Sequence, residues 1–251
     1  MINYLAKSLI VIICLLSAFI VYGAEPSKAY QAQAKLVAER LKSDELAGYK
    51  AGLTSKAGQA RFKVDGPVHA ALFKSGELEG APILKLSDYT RLMLEIELGF
   101  VLKRDIKEPL TDMETLKAAI DYLLPVVELP DVAFKDMSTV SGSDLIRSNV
   151  ASNAFIRGKA ISEWQGLDIN NLTASIRHNE KLLVAGKGSD ASGDQWQALM
   201  WLINERLAMG DELKQGQLLI TGALGKMIPA QKGQFKAEIE SLGMIEFRIL
   251  P

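Results

Sequence analysis

The sequence is short of cysteine and histidine: Cys14 is the single cysteine, and His69 and His178 are the only histidines. It also lacks an excess of charge of either sign, with 29 basic against 30 acidic residues and a net charge of −1. No basic run and no interleaving of basic with aromatic residues is present, so a nucleic-acid surface is not expected. There is no internal repeat and no low-complexity tract. Long hydrophobic runs are confined to one place, Leu9 to Tyr22, which follows the lone charge Lys7 and precedes the small pair Gly23-Ala24 and the polar Glu25-Pro26-Ser27. That layout is the one of a secretory signal peptide. The run is shorter than the roughly 20 residues a membrane-spanning helix requires, so cleavage near Ala24 or Glu25 is expected, with export to the periplasm and no stable membrane insertion afterwards. Removal of residues 1–24 takes away Cys14 and Lys7, leaving 28 basic against 30 acidic residues. A mature chain without cysteine excludes disulfides, thiolate catalysis and cysteine zinc sites.

What the chain does have is a strand with two acids in it. In Leu92-Met-Leu-Glu-Ile-Glu-Leu-Gly-Phe-Val-Leu102, Leu94, Ile96, Leu98 and Phe100 fall on one face, and Met93, Glu95, Glu97 and Gly99 on the other. Two carboxylates that project side by side repel unless something cationic sits between them, and a hard divalent cation is a natural partner for such oxygens. The alternative is a strand whose polar face is in water. A third acid, Glu128, lies inside the apolar run Val126-Val-Glu-Leu129. Burying it there is costly without a cation or hydrogen-bond partners, and the plainer alternative is a salt bridge to an arginine or lysine.

The rest of the mature chain reads as a mixture of helices and strands. Glu25 to about Leu46 has a helical face of Tyr30, Ala34, Val37 and Leu41. Gly48 to Ser55 reads as a short strand running into a turn, Val64-Asp-Gly-Pro67 as turn chemistry, and Ala70 to Phe73 as a short apolar run. Thr111-Asp-Met-Glu114 reads as a capping box opening a helix through Leu123, which Pro125 ends. Leu172–Arg177 and Lys181–Val184 flank a hairpin at His178-Asn-Glu. Ser192-Gly-Asp-Gln195 opens a helix with Trp196, Leu199, Met200, Ile203 and Leu207 inward, stopped by Gly210. Gln217 to Gly222 reads as a strand, and Phe235–Ile239 with Ile245–Ile249 as a closing antiparallel pair. Strands dominate the C-terminal half with few helices between them, which argues for an α+β architecture with a largely antiparallel mixed sheet.

Taken in order, these pieces resemble the 2-keto-4-pentenoate hydratase branch of the fumarylacetoacetate hydrolase family. Tyr49-Lys-Ala-Gly-Leu-Thr-Ser55 is similar to its Y-K-x-G-L-T-S, Val64-Asp-Gly-Pro67 to V-D-x-P, and Glu95-Ile-Glu-Leu-Gly-Phe-Val-Leu102 to E-x-E-I-A-F-V-L. Pro125-Val-Val-Glu-Leu129 resembles P-x-I-E-I, Ser148-Asn149 falls at its D-N, and Trp201-Leu-Ile-Asn204, Gly210 and Ile220-Thr-Gly222 track its W-L-x-N, G and T-G-S ending. The likeness runs from Tyr49 to the C-terminus.

The resemblance implies a mixed β-sandwich or β-roll with a small helical N-terminal part, divided as 1–24, 25–75 and 76–251, and a homo-oligomer. It implies Glu95, Glu97 and Glu128 as ligands of one Mg²⁺ or Mn²⁺, with a 2-oxo or 2-hydroxydienoic acid as the small-molecule partner. It implies that Lys50 orients or moves a proton, with Asp65 as its partner carboxylate, and that Asn149, Thr221 and Gly222 line the substrate pocket. A lysine beside a divalent cation can have its pKa lowered into a useful range. Each role has a plainer alternative: a surface lysine for Lys50, an Asx turn for Asp65, a strand end for Thr221-Gly222. His69 and His178 read as a loop and a hairpin residue, and Arg157 and Lys159 as candidate pocket cations. The chain departs from the family pattern at Val68, Ser148, Gln217 and Ala223. On the same metal site, 2-oxo acid decarboxylation or C–C hydrolysis are alternatives to hydration, and an exported binding protein of the same fold is the non-catalytic one.

Overall fold

The computed structural model describes residues 27–251, so the apolar N-terminal run, Cys14 and the expected cleavage site lie outside the described residues. Five helices are present among them: α1 (Lys28–Arg40), α2 (Lys56–Phe62), α3 (Met113–Ala118), α4 (Gly142–Arg147) and α5 (Gln195–Ala208). The strands of the first half are β1 (Leu46–Gly52), β2 (Val68–Phe73), β3 (Glu77–Glu79), β4 (Ile83–Lys85), β5 (Met93–Leu102), β6 (Ile120–Leu129) and β7 (Ala154–Arg157). Those of the second are β8 (Thr173–His178), β9 (Lys181–Lys187), β10 (Leu218–Ala223), β11 (Ile228–Pro229), β12 (Gly233–Ile239) and β13 (Gly243–Leu250). No described helix is long and apolar enough to cross a membrane.

The strands form two mixed sheets. The larger runs in the order β2-β1-β10-β5-β6-β7-β3, with β11 added beside β5, and the smaller runs β4-β13-β12-β8-β9. Strands β2 and β3 stand at opposite ends of the larger order yet are joined by the three-residue turn Lys74–Gly76. A connection that short brings the two edges together, so the sheet curls into a roll. Strands β1 and β2, from the segment 25–75, are integral to the same sheet as β5 and β6.

The alternation in β5 sorts its two faces. Leu94, Ile96, Leu98 and Phe100 enter the main core, where they meet Ile176, Phe235, Ala237, Ile239 and Phe247 of the smaller sheet and Leu199, Leu202 and Ile203 of α5. The inside of the roll holds a separate cluster of Leu72, Val101, Leu124, Val126, Phe155, Leu218 and Ile220. Both faces are apolar beyond Glu97, so the strand is buried on both sides, as β5 requires at the centre of the sheet. Gly99 makes this possible: a Cβ there would lie 2.8 Å from Val126, 2.9 Å from Leu218 and 3.0 Å from Leu124.

Two expected helices are shorter than their sequence pattern. Helix α1 ends at Arg40, because Asp44 turns the chain by accepting from the Glu45 and Ser75 amides at 2.8 and 3.1 Å, and Leu46 opens β1. Helix α3 is capped by Asp112, whose Oδ1 accepts from Thr115 N at 2.7 Å, and it ends at Ala118. Ile120, Leu123 and Pro125, read from the sequence as helix and helix stop, belong to β6. The pairing of β6 with β5 from Glu95↔Glu128 to Leu102↔Ile120 outweighs the local helical pattern. Pro125 cannot donate to a neighbouring strand, and it sits where β7 has just ended, with its carbonyl accepting from Gly158 N at 2.9 Å. The hairpin at β8 and β9 and the closing pair β12 and β13 lie where the sequence places them.

Candidate active site

Strand register assembles the site. Residues directly opposite each other in neighbouring strands share a face. Lys50 of β1 is opposite Ile220 of β10, Ile220 is opposite Gly99 of β5, and Glu95 of β5 is opposite Glu128 of β6. Lys50, Glu95, Glu97 and Glu128 therefore all project into the roll. Lys50, Glu97 and Glu128 are buried, and Glu95 is half-buried. Each glutamate offers one carboxylate oxygen to a group whose atoms lie within 4.8 Å of one another.

The electrostatics of this group are unbalanced. Three carboxylates face one ammonium. Lys50 Nζ is ion-paired with Glu128 Oε1 and donates a second hydrogen bond to Val150 O at 3.2 Å. Glu97 Oε2 accepts from the Gly222 amide at 2.7 Å. The other oxygens, Glu97 Oε1 and Glu128 Oε2, are buried with no hydrogen-bond partner among the described residues. Burial and the neighbouring Glu128 push the Glu95 carboxyl up to about 8, and burial together with Glu128 and Glu95 raises Glu97 well above the ordinary carboxylate range. Buried oxygens of native proteins are rarely left without a partner, and a divalent cation coordinated by oxygen satisfies both orphans and the missing positive charge at once. The residues present fit such an ion.

Lys50 differs from the sequence expectation in one respect. Burial acts to lower its pKa, but the charges of Glu128, Glu95 and Glu97 outweigh burial, and the pKa is raised above the usual lysine value. Two of the three ammonium protons have acceptors, and among the described residues the third has none.

The structure does not bring every expected residue to the cluster. Asp65 is exposed in the turn after α2, where left-handed Lys63 (φ 53°) reverses the chain, and it is not among the charges acting on Lys50. Asn149 is buried, but its amide is committed elsewhere: Oδ1 accepts from Ala71 N and Nδ2 donates to Ala71 O, both at 2.9 Å, extending the free edge of β2. Thr221 is buried with its hydroxyl donating to Gln195 Oε1, and Gln195 is anchored in turn to Gly188 O at 2.6 Å. Thr221 thus ties β10 to the start of α5, and only the backbone of Gly222 reaches the cluster. His69 is no loop residue: it lies buried in β2, stacked on Tyr30 at 4.2 Å. Arg157 is taken up by Glu77 at 2.6 Å and by the Tyr122 hydroxyl at 2.9 Å, while Lys159 lies in an open groove at the Tyr122 end of the roll.

The departures from the family pattern fall in two groups. Ser148 Oγ donates to Leu145 O at 2.9 Å and Gln217 Oε1 accepts from Lys214 N at 2.9 Å, so both close local turns. Ala223 is opposite Glu97, and Val68 packs in the small cluster with Val150 beside Lys50. The Val150 carbonyl and the Gly222 amide escaped the sequence reading, because backbone groups carry no side-chain signal.

No protein-family model matches the sequence. The 2-keto-4-pentenoate hydratase of Paraburkholderia xenovorans is 30% identical over 200 residues, 79% of this chain and 74% of that protein. The 2-hydroxyhexa-2,4-dienoate hydratase of Comamonas testosteroni is 30% identical over 199 residues, 78% of this chain and 75% of that protein. Among solved structures, 4-oxalocrotonate decarboxylase from Pseudomonas putida G7, complexed with magnesium and adipate, superposes with a TM-score of 0.82 at 23% identity, covering 88% of this chain and 85% of that one. Fumarylpyruvate hydrolase from Pseudomonas aeruginosa, in complex with Mn²⁺ and pyruvate, gives a TM-score of 0.66 at 14% identity over 82% of this chain and 89% of that one. These two share the α+β fold. The sequence identity and its coverage go further, and the chain belongs to the 2-keto-4-pentenoate hydratase branch of the fumarylacetoacetate hydrolase family.

Proposed function

We propose that the chain is a divalent-metal-dependent hydro-lyase that adds water to a 2-hydroxy-2,4-dienoate, the tautomer of a 2-oxo-4-enoate, and gives a 4-hydroxy-2-oxo acid. The observation that carries the reading is the pair of buried oxygens, Glu97 Oε1 and Glu128 Oε2, that have no partner among the described residues and lie beside the Lys50 ammonium. Glu95, Glu97 and Glu128 would hold Mg²⁺ or Mn²⁺, which would supply Lewis-acid stabilisation of the negative charge that develops on the substrate.

The chain's own residues handle protons and position. Ketonisation takes the proton from the 2-hydroxyl and places one on C5. Hydration of the resulting enone then puts a hydroxyl on C4 and a proton on C3. Lys50 is the group that holds and moves these protons, through the N–H that no acceptor among the described residues claims. The Gly222 amide fixes the rotamer of Glu97, and the apolar inside of the roll keeps bulk water from the enolate. Asp65 remains a proposed partner only if the turn that carries it moves toward Lys50. Export to the periplasm rests on the N-terminal apolar run, and a homo-oligomer on the resemblance; light scattering of the purified protein tests the latter.

A panel of 2-hydroxydienoic and 2-oxo acids, assayed with and without Mg²⁺ or Mn²⁺, tests the reading. Metal-dependent formation of a 4-hydroxy-2-oxo acid supports it. Release of carbon dioxide, or C–C cleavage without hydration, moves the assignment to a decarboxylase or hydrolase on the same site. Binding without turnover moves it to a non-catalytic protein.

A further inference from the structure

Three consecutive residues without a glycine among them, Asn149, Val150 and Ala151, adopt left-handed backbone angles, with φ of 55°, 51° and 53°. Asparagine tolerates that region, but a β-branched valine there is an outlier, and runs of such residues are disfavoured in L-peptides. Strain of this kind persists only where the surroundings over-determine it, and it concentrates at functional sites.

The surroundings here do over-determine it. The Asn149 amide makes two hydrogen bonds to Ala71, and Ser152 Oγ makes a third to Ala71 O at 2.9 Å. Ala71 lies opposite Tyr49 in β1, next to Lys50. Ser152 N closes the turn on Asn149 O at 3.0 Å, and Asp131 N binds Ala151 O at 3.1 Å. The Val150 side chain presses on β1 at Gly52, where an added Cβ would come within 2.8 Å of Val150 Cγ1. The product of all these ties is the position of one atom, the Val150 carbonyl oxygen, 3.2 Å from Lys50 Nζ.

We propose that the left-handed turn Asn149–Val150–Ala151 is a positioning device for Lys50, with Asn149 and Val150 as its positioning residues. An ammonium is tetrahedral. With Glu128 and the Val150 carbonyl each holding one proton, the direction of the third is fixed. The turn thereby converts a flexible side chain into a donor of set orientation, and the ties to Ala71, Asp131 and Gly52 are what keep the strained carbonyl from relaxing away. The inference rests on the proposed role of Lys50 and adds the means by which that role is enforced.

The test compares Asn149→Ala with Lys50→Met, and uses Ala151→Gly as a backbone control. Glycine occupies φ 53° without the Cβ penalty, so Ala151→Gly is expected to hold or raise Tm. Where Asn149→Ala alone folds poorly, the double variant Asn149→Ala/Ala151→Gly replaces it. For Asn149→Ala the expected result is a loss of kcat of about tenfold to a hundredfold on a 2-hydroxy-2,4-dienoate, with KM and the Mg²⁺ Kd within about twofold of wild type. A kcat within twofold of wild type, in a protein that Lys50→Met inactivates, overturns the positioning role and leaves the role of Lys50 standing. A parallel loss of kcat, Tm and Mg²⁺ affinity also overturns it, since that is what a merely structural turn produces. Full activity of Lys50→Met overturns the role of Lys50 itself, and the proposal with it.

Discussion

The Gly222 amide donates to Glu97 Oε2 at 2.7 Å and leaves Glu97 Oε1 as a buried oxygen without a partner among the described residues. One backbone N–H thus selects which oxygen of the carboxylate is available and which way it faces. The donor is in place because β10 bulges between Ile220 and Ala223, and because Gly222 has φ 110° and packs against Thr54.

Gly222→Ala tests that relationship. Its Cβ would lie 2.4 Å from Thr54 Oγ1 on a backbone that L side chains rarely adopt. The expected cost is about 2–4 kcal/mol of stability from overpacking and strain, with Mg²⁺ affinity weakened about tenfold, as for loss of a group that orients a ligand. Denaturant unfolding and metal titration measure the two. An unchanged metal affinity would show that the Gly222 amide does not set the carboxylate.

Lys50→Met separates the metal site from proton transfer. Removing the ammonium leaves three carboxylates with no internal counter-charge. The increase of Tm on adding Mg²⁺ should therefore be at least as large as in wild type, while kcat falls by about a hundredfold or more. A variant that loses the metal response along with activity would mean that Lys50 builds the site and does not act in it.

His69 sets an acid limit on stability. Burial and the adjacent Arg206 lower its pKa to about 3. Arg206 can only donate, so His69 Nδ1 accepts its 2.9 Å bond and the ring is held neutral. The folded value lies below the unfolded value of about 6.5, so the unfolded chain binds the extra proton. The contribution is whole above pH 6.5 and is lost as pH falls toward 3, by at most about 1.4 kcal/mol per pH unit. Urea unfolding between pH 7 and pH 4 should show a shallower decline for His69→Gln than for wild type. Equal slopes would place the acid sensitivity elsewhere.

Export is tested at the N-terminus. The run Leu9 to Tyr22 and the small pair Gly23-Ala24 predict native protein that begins near Ala24 or Glu25. N-terminal sequencing of protein from fractionated cells measures it. An intact Met1 in the cytoplasmic fraction would contradict cleavage.

The carboxylate cluster was legible from the sequence because its signals are periodic or anomalous: two acids at strand spacing, and one acid in an apolar run. Lys50 was legible through the residues around it. What stayed hidden is carried by backbone and by pairing. The left-handed turn at 149–151 contains no glycine to announce it. The orientation of the Thr221 hydroxyl depends on Gln195, 26 residues away. The extent of β6 depends on β5, and a helical pattern through Leu123 gave no warning of it. Asp65 and Asn149 matched motif positions, but a motif carries no information about which hydrogen bonds a side chain has already made.

The central claim, that Glu95, Glu97 and Glu128 hold one divalent cation, is tested most directly by thermal melting of wild type and Glu97→Ala with and without Mg²⁺ or Mn²⁺. Wild type should gain about 5–10 °C at a metal concentration a hundredfold above Kd, from about 2.7 kcal/mol of linkage. Glu97→Ala should gain nothing and turn over no 2-hydroxydienoate, and without metal it should be no less stable than wild type, since one repelling buried charge is gone. A Glu97→Ala protein that keeps the metal-induced gain would contradict the account.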